Sequence, residues 1–175
     1  MDKLPKRKNP RLREYDYSSP GSYFITVCVR DRKPLLSFVG RGLAPTVECE
    51  TQSEVGRGLA PADIELTSIG QAAEQQLLAL QTRYPHISVD SYVIMPNHIH
   101  IMLTVAENAA GASPRPTVYD AICAFKSLTA RECGKKGIFQ TSFYDHIIRD
   151  ERDYITHLGY INDNPAKWKQ DEYYV

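Results

Sequence analysis

"HISVDSYVIMPNHIHIMLTV", residues 86–105, holds two runs of period-two alternation on either side of a Pro-Asn pair. Ile87, Val89, Ser91, Val93 and Met95 fall on one face of the first run. Ile99, Ile101, Leu103 and Val105 fall on one face of the second. Pro96-Asn97 supplies turn chemistry, so the segment is predicted to be a two-stranded hairpin. In the second strand residues i and i+2 point the same way, which puts His98 and His100 on the face of Met102 and Thr104, with the aliphatic face behind them. Two imidazoles on neighbouring same-face positions make half of a metal site that a sheet, rather than a loop, holds in place. Burying both without a shared partner would be costly.

Working outward, "GSYFITVCVRD" (residues 21–31) is rich in β-branched and aromatic residues and is predicted as the first strand. "TSIGQAAEQQLLALQTRY" (67–84) has a capping-box pattern in Ser68 and Gln71, and Ile69, Ala73, Leu77, Leu80 and Tyr84 recur at helical spacing. "TVYDAICAFKSLTARECG" (117–134) reads as a second helix, with Thr117 as N-cap, Val118, Ile122, Phe125 and Thr129 on one stripe, and Gly134 as the stop. "TSFYDHIIRD" (141–150) is predicted as a fourth strand. Asp150 and Asp153 open a last helix, "ERDYITHLGYIND", which Pro165 ends by disfavouring helical geometry in the residue before it. The order β-α-β-β-α-β followed by α predicts an α+β, ferredoxin-like antiparallel sheet with both crossover helices on one face and an added C-terminal helix.

The chain of 175 residues, 42% hydrophobic, is enough for one domain with a sizeable core. Residues 1–20 read as a basic arm carrying Lys3, Lys6, Arg7, Lys8, Arg11 and Arg13, and residues 21–175 as the single domain. Between about residues 37 and 63 periodicity gives way to an insertion in which "VGRGLAP" occurs at Val39 to Pro45 and, letter for letter, at Val55 to Pro61. Fixed Gly and Pro favour a duplicated surface loop, tolerated because lengthening a loop costs little closure entropy. Lys plus Arg and Asp plus Glu are equal at 21 each, so any nucleic-acid contact must rest on local patches. Cys28, Cys49, Cys123 and Cys133 show no CxxC pair and no metal-finger spacing, which suits a reducing compartment. With no long apolar run and no apolar segment behind the charged N-terminus, the expected location is the cytoplasm, with no membrane partner.

The last helix carries a second chemical cluster. Its expected apolar stripe is Tyr154, Ile155, Leu158 and Ile161, and Tyr160 falls roughly 150° from the middle of that stripe. Asp153, Thr156, His157 and Asn164 share its side, and Asn164 lies one turn beyond Tyr160, so a phenol and an amide oxygen project from one edge. Asp163 is an alternative to Asn164 as a ligand if the helix frays, whereas His146 and His157 read as exposed or capping histidines.

"RLREYDYSSPGSYFITVCVRDRKPLL", "SVDSYVIMPNHIHIMLTV" and "IFQTSFYDHIIRDERDYITHLGYINDNPAKW" together resemble the REP-associated tyrosine transposases, a branch of the single-tyrosine HUH nuclease superfamily of the IS200-like type. The pairing of "MPNHIHIML" with a downstream "YINDNPAKW" is the specific part; HxH alone is weak. The resemblance implies that His98 and His100 bind a divalent metal, Mg²⁺ or Mn²⁺, that Asn164 completes the metal site, and that Tyr160 attacks DNA. It further implies a metal-dependent single-stranded DNA endonuclease and strand transferase that cuts near hairpin repeats through a 5′-phosphotyrosine intermediate. Arg11, Arg13, Lys126 and Arg149 are the candidate DNA-backbone contacts, and Tyr15 and Tyr17 candidate base-stacking groups, whereas Tyr23, also near the arm, lies in the strand and reads as a core residue before a stacking one. The sequence leaves open whether Tyr160 serves its own subunit or a second copy in a homodimer. Two other classes compete: a non-catalytic ferredoxin-like nucleic-acid-binding module, and a zinc-dependent hydrolase using activated water.

Overall fold

The computed structural model describes residues 19–40, 64–107 and 116–174. The basic arm with Arg11 and Arg13, the identical "VGRGLAP" copies beyond residue 40, and the Gly/Ala segment after residue 107 lie outside these. The fold is α+β, built on a four-stranded antiparallel sheet. Its strands are β1 (Gly21–Cys28), β4 (Ile87–Ile94), β5 (His98–Val105) and β6 (Tyr144–Ile147), in the order β4-β5-β1-β6. Between β1 and β4 come the short strands β2 (Ser37–Val39) and β3 (Ile64–Leu66) and the helices α1 (Ser68–Leu78) and α2 (Leu80–Arg83). Helix α3 (Val118–Glu132) crosses from β5 to β6, and α4 (Glu151–Asp163) follows. Each crossover therefore joins strands separated by one other strand.

The central pair is β1 with β5, in the register Thr26 opposite His100 and Cys28 opposite His98. One face of the sheet, through Ile25, Val27, Ile99, Ile101 and Leu103, buries the apolar stripes of α1 and α3: Ile69, Ala73 and Leu77 from the first, Val118, Ile122 and Phe125 from the second. The opposite face carries a smaller cluster of Phe24, Val93, Met95 and Met102, onto which α4 seats Ile161. Strand alternation thus divides β5 between a two-helix core and a polar site face beneath α4.

The predicted stripes of α1 and α3 are buried as expected, and Thr117 caps α3 in a reciprocal capping box with Asp120. Several local expectations need correction. Met95 and Val93 do not share a face with Ile87 and Val89, because the β4–β5 register slips between Val89 and Ser91 and leaves Asp90 as an extra residue. That bulge turns Tyr92 and Ile94 toward the main core. The N-cap of α1 is Thr67, whose hydroxyl accepts from the Gly70 N–H at 3.1 Å, so the Ser68–Gln71 capping box does not form. The single helix expected over residues 67–84 is broken at Ala79 into α1 and α2. The insertion begins in strand and is followed by one: β2 pairs antiparallel with β3, Val39 opposite Ile64. On α4, Ile155 is 59% exposed and the buried side runs through Tyr154, Leu158 and Ile161 instead. Asn164 keeps helical angles (φ −55°, ψ −42°) despite the following Pro165, so the chain leaves α4 through a further turn rather than an extended residue. Among the described residues no helix is long and apolar enough to cross a membrane.

Candidate metal and nucleophile site

Strand β5 delivers His98 and His100 to the site face, where their exposures are 0% and 2%. Their ring centroids are 4.5 Å apart. Each ring is anchored through Nδ1. His98 Nδ1 lies 2.9 Å from the Asn97 side-chain oxygen, and His100 Nδ1 lies 2.9 Å from the Thr26 hydroxyl directly across the sheet. Asn97 cannot present its amide nitrogen to His98, because that nitrogen donates to the carbonyls of Arg32 (3.2 Å) and Tyr173 (2.7 Å). The proton of His98 is therefore on Nδ1, and its Nε2 carries the lone pair. Asp31 and Arg32, both non-glycine residues with positive φ (58° and 53°), make the turn that brings the Arg32 carbonyl to Asn97.

Among the described residues, both Nε2 atoms and the side-chain oxygen of Asn164 are buried and have no hydrogen-bond partner. Orphaned buried acceptors are rare in folded proteins and call for an explanation. Burial, reinforced by the Arg32 guanidinium, lowers the His98 pKa from 6.5 to about 3. Burial and neighbouring His98 lower His100 as well. The two imidazoles are thus neutral, the state in which histidine binds a metal. Two neutral imidazole nitrogens and an amide oxygen form a donor set that a divalent cation fits.

The third donor comes from the segment behind α4. Asn164, at the C-cap of that helix, donates its side-chain N–H to Asp171 at 2.9 Å, which leaves the amide oxygen as the unpartnered atom. Asp171 follows a 3-10 turn (Trp168–Gln170) and lies 4.0 Å from His98 Nε2. Its carboxylate and the two imidazoles place ligand atoms within 4.8 Å of one another. Tyr173, two residues on, lays its ring 4.5 Å from that of His98.

Tyr160 stands on α4 at the edge of this cluster, 41% exposed, its ring edge-on to His100 with centroids 5.1 Å apart. Burial, then the nearby carboxylates of Asp171 and Glu172, push its pKa above the usual 10, and a hydrogen bond with Asn164 pulls the other way. A groove of about 620 Å³ opens beside it, with Phe24, His100, Tyr144, His157 and Tyr173 among its walls. The arrangement has the parts for phosphoryl chemistry: neutral metal-ligating nitrogens, an exposed phenol and room for a phosphodiester between them.

No protein-family model matches the chain. An uncharacterized protein of Haemophilus influenzae is 27% identical over 188 residues, spanning 97% of this chain and 93% of its own length. A REP-associated tyrosine transposase of Escherichia coli is 29% identical over 102 residues, and a putative REP-associated tyrosine transposase of Haemophilus influenzae is 32% identical over 94. This chain is a relative of the REP-associated tyrosine transposases. The alignments span 58% and 52% of the lengths of those two transposases. A solved REP-associated tyrosine transposase bound to a REP hairpin has the same fold, with a TM-score of 0.61 at 24% identity over 93% of this chain and 76% of the solved one.

Of the residues that the transposase resemblance singles out, His98, His100, Asn164 and Tyr160 come together on the site face. Asp163 does not join them: it is exposed and paired with Lys167 at 2.7 Å. Lys126 is on α3, a helix of the opposite face, with its ammonium on the Thr141 carbonyl at 2.8 Å. Arg149 is exposed between β6 and α4. Tyr23 is fully buried in the core, as its place in the first strand implies. His146 and His157 flank Asp153, at 2.9 Å and 3.0 Å, and fasten the first turns of α4 to β6. Sequence patterns missed Asn97, Thr26 and Asp171. Asn97 was visible only as a turn residue, Thr26 becomes adjacent to His100 only once the strand register is known, and Asp171 lies in a stretch without periodicity.

Proposed function

We propose that this chain is a divalent-metal-dependent single-stranded DNA endonuclease and strand transferase, with Tyr160 as nucleophile and His98, His100 and Asn164 as metal ligands. The observation that carries the proposal is the convergence of three orphaned buried acceptors beside an exposed phenol that no core packing requires. Similarity to the REP-associated transposases supports it, and the similarly folded transposase bound to a REP hairpin supports a hairpin-bearing DNA as the substrate, which we take to be cut in a single-stranded part. A bound Mg²⁺ or Mn²⁺ would neutralise the non-bridging phosphate oxygens and hold the scissile phosphate near the phenol.

The remaining work falls to the chain's own residues. Asn97 fixes the His98 tautomer, so that its Nε2 lone pair faces the site, and Thr26 anchors the His100 ring through Nδ1. Tyr160 loses its proton and its oxygen attacks phosphorus; the P–O3′ bond breaks, and the departing oxygen takes up a proton to become a 3′-hydroxyl. The product is a 5′-phosphotyrosine, and because the step is a transesterification, rejoining needs no nucleotide cofactor.

The test uses purified protein, Mn²⁺ and a hairpin-bearing single-stranded oligonucleotide labelled at either end, resolved on a denaturing gel. A shifted protein band retaining only the 3′-side label, lost on Tyr160→Phe and on His100→Ala, is the expected result. Free cleavage products without a shifted band would indicate the water-using hydrolase, and binding without cleavage a non-catalytic module.

A further inference from the structure

We infer that Asp171 is a ligand of the same metal site, adding a carboxylate to the two imidazoles and the amide. The inference rests on the site assignment proposed above and concerns a residue outside the set read from the sequence.

The charge accounting points there first. Two imidazoles and an amide bring no negative charge to a dication. The Asp171 side chain is 2% exposed, and no Lys or Arg pairs with it among the described residues; the ionisable group that faces it is His98, at 4.0 Å. A buried carboxylate without a counter-charge is expensive, and in folded proteins such groups are paired or bind metal.

Geometry points the same way. The Asp171 carboxylate is held from two sides: one oxygen accepts from the Tyr173 N–H at 2.7 Å, the other from the Asn164 side chain at 2.9 Å. The second of these bonds sets the Asn164 amide so that its oxygen is the free atom. One Asp171 oxygen and a ring nitrogen of each imidazole all lie within 4.8 Å of one another. Asp171 and Asn164 therefore form a unit in which the carboxylate orients the amide and both present oxygen to the cation, a donor set of hard oxygens and borderline nitrogens suited to Mn²⁺.

Mn²⁺ binding to the full chain, without DNA and read by electron paramagnetic resonance, tests this apart from turnover. The wild type is expected to bind Mn²⁺ and His100→Asn to lose it. Asp171→Asn keeps the size and an oxygen that accepts from Asn164 but removes the charge; it should weaken binding by about tenfold or more. Its circular dichroism should match the wild type, and its metal-free melting should fall slightly, because one amide oxygen replaces the two carboxylate oxygens that accept from Tyr173 and Asn164. Wild-type affinity in Asp171→Asn would overturn the inference and leave the site assignment intact. Loss of affinity in Asp171→Ala with normal affinity in Asp171→Asn would also overturn it, reducing Asp171 to a positioning residue for Asn164. Binding that survives His100→Asn would instead remove the site assignment itself.

Discussion

The Asn97 side-chain oxygen stands 2.9 Å from His98 Nδ1, while the same amide's nitrogen holds the carbonyls of Arg32 and Tyr173. One side chain thus fixes the tautomer of its neighbour and ties two distant segments to the turn between β4 and β5. Asn97→Ala is expected to cost about 1–3 kcal/mol in urea unfolding, since buried groups lose their partners. It should also weaken Mn²⁺ binding by roughly 10–100-fold, the usual effect of losing a partner that orients a ligand. Asn97→Asp retains an acceptor for His98 but neither donor, so it should destabilise while preserving more of the metal affinity. Unchanged Mn²⁺ affinity in Asn97→Ala would show that the tautomer is fixed by something else.

The burial of His98 makes a signed prediction about pH. Its folded pKa is about 3 against 6.5 for a free imidazole, so above pH 6.5 folded and unfolded chains both hold it neutral. Below pH 6.5 the unfolded chain takes up a proton that the folded chain refuses, and stability falls until the pH nears 3. From pH 7 to pH 5 that loss amounts to about 2 kcal/mol for His98 in the metal-free protein, and His100 adds in the same direction. His98→Gln should lose correspondingly less stability over the same interval. Equal losses in variant and wild type, measured by urea unfolding at both pH values, would mean that the imidazole is not buried in its neutral form.

How much of this was legible follows from the range of each interaction. Period-two and period-3.6 patterns are local, and they placed β4, β5, α1 and α3 and the inward stripe of α3. They failed where a residue answers to a distant partner. Asp90 is bulged out of β4 and accepts hydrogen bonds from Thr104 (2.5 Å) and Tyr154 (3.2 Å), and no local pattern announces that slip. Ile155 looked apolar and inward, but α4 rests on a small cluster too narrow to cover it. In the site, the histidine pair and the Tyr160–Asn164 edge are readable because each lies on one regular element. Asp171 reaches the histidines only through the turns after α4, a path that sequence spacing does not encode.

Two helical glycines should respond to alanine with opposite signs. At Gly70 an added Cβ would sit 2.0 Å from the Leu36 carbonyl oxygen. That oxygen cannot retreat freely, since it accepts from the Thr67 N–H (2.9 Å) and hydroxyl (3.0 Å). Gly70→Ala is therefore expected to destabilise by about 1–3 kcal/mol despite the better helix propensity of alanine. At Gly159 on α4 an added Cβ meets nothing within 4 Å, so Gly159→Ala should stabilise by about 0.5–1 kcal/mol. Thermal melts of the two variants give the signs directly; a stabilised Gly70→Ala would mean that α1 does not approach Leu36 as closely as described.

The insertion is bounded by a strand pair, and this makes its dispensability testable. Val39 lies opposite Ile64, so the described residues on either side of the insertion are neighbours. Joining residue 40 to residue 63 through an Asn-Gly turn, and so removing the duplicated heptapeptide, should keep the β2–β3 pairing. Shortening the loop should add on the order of 1–2 kcal/mol, because closing it costs less chain entropy. DNA adduct formation by Tyr160 is expected to persist, since the pair stands beside the β5 turn without contributing a ligand to the site. Loss of cooperative unfolding in the shortened chain would show that the insertion is structural. An intact fold with the adduct abolished would place the insertion in DNA binding instead.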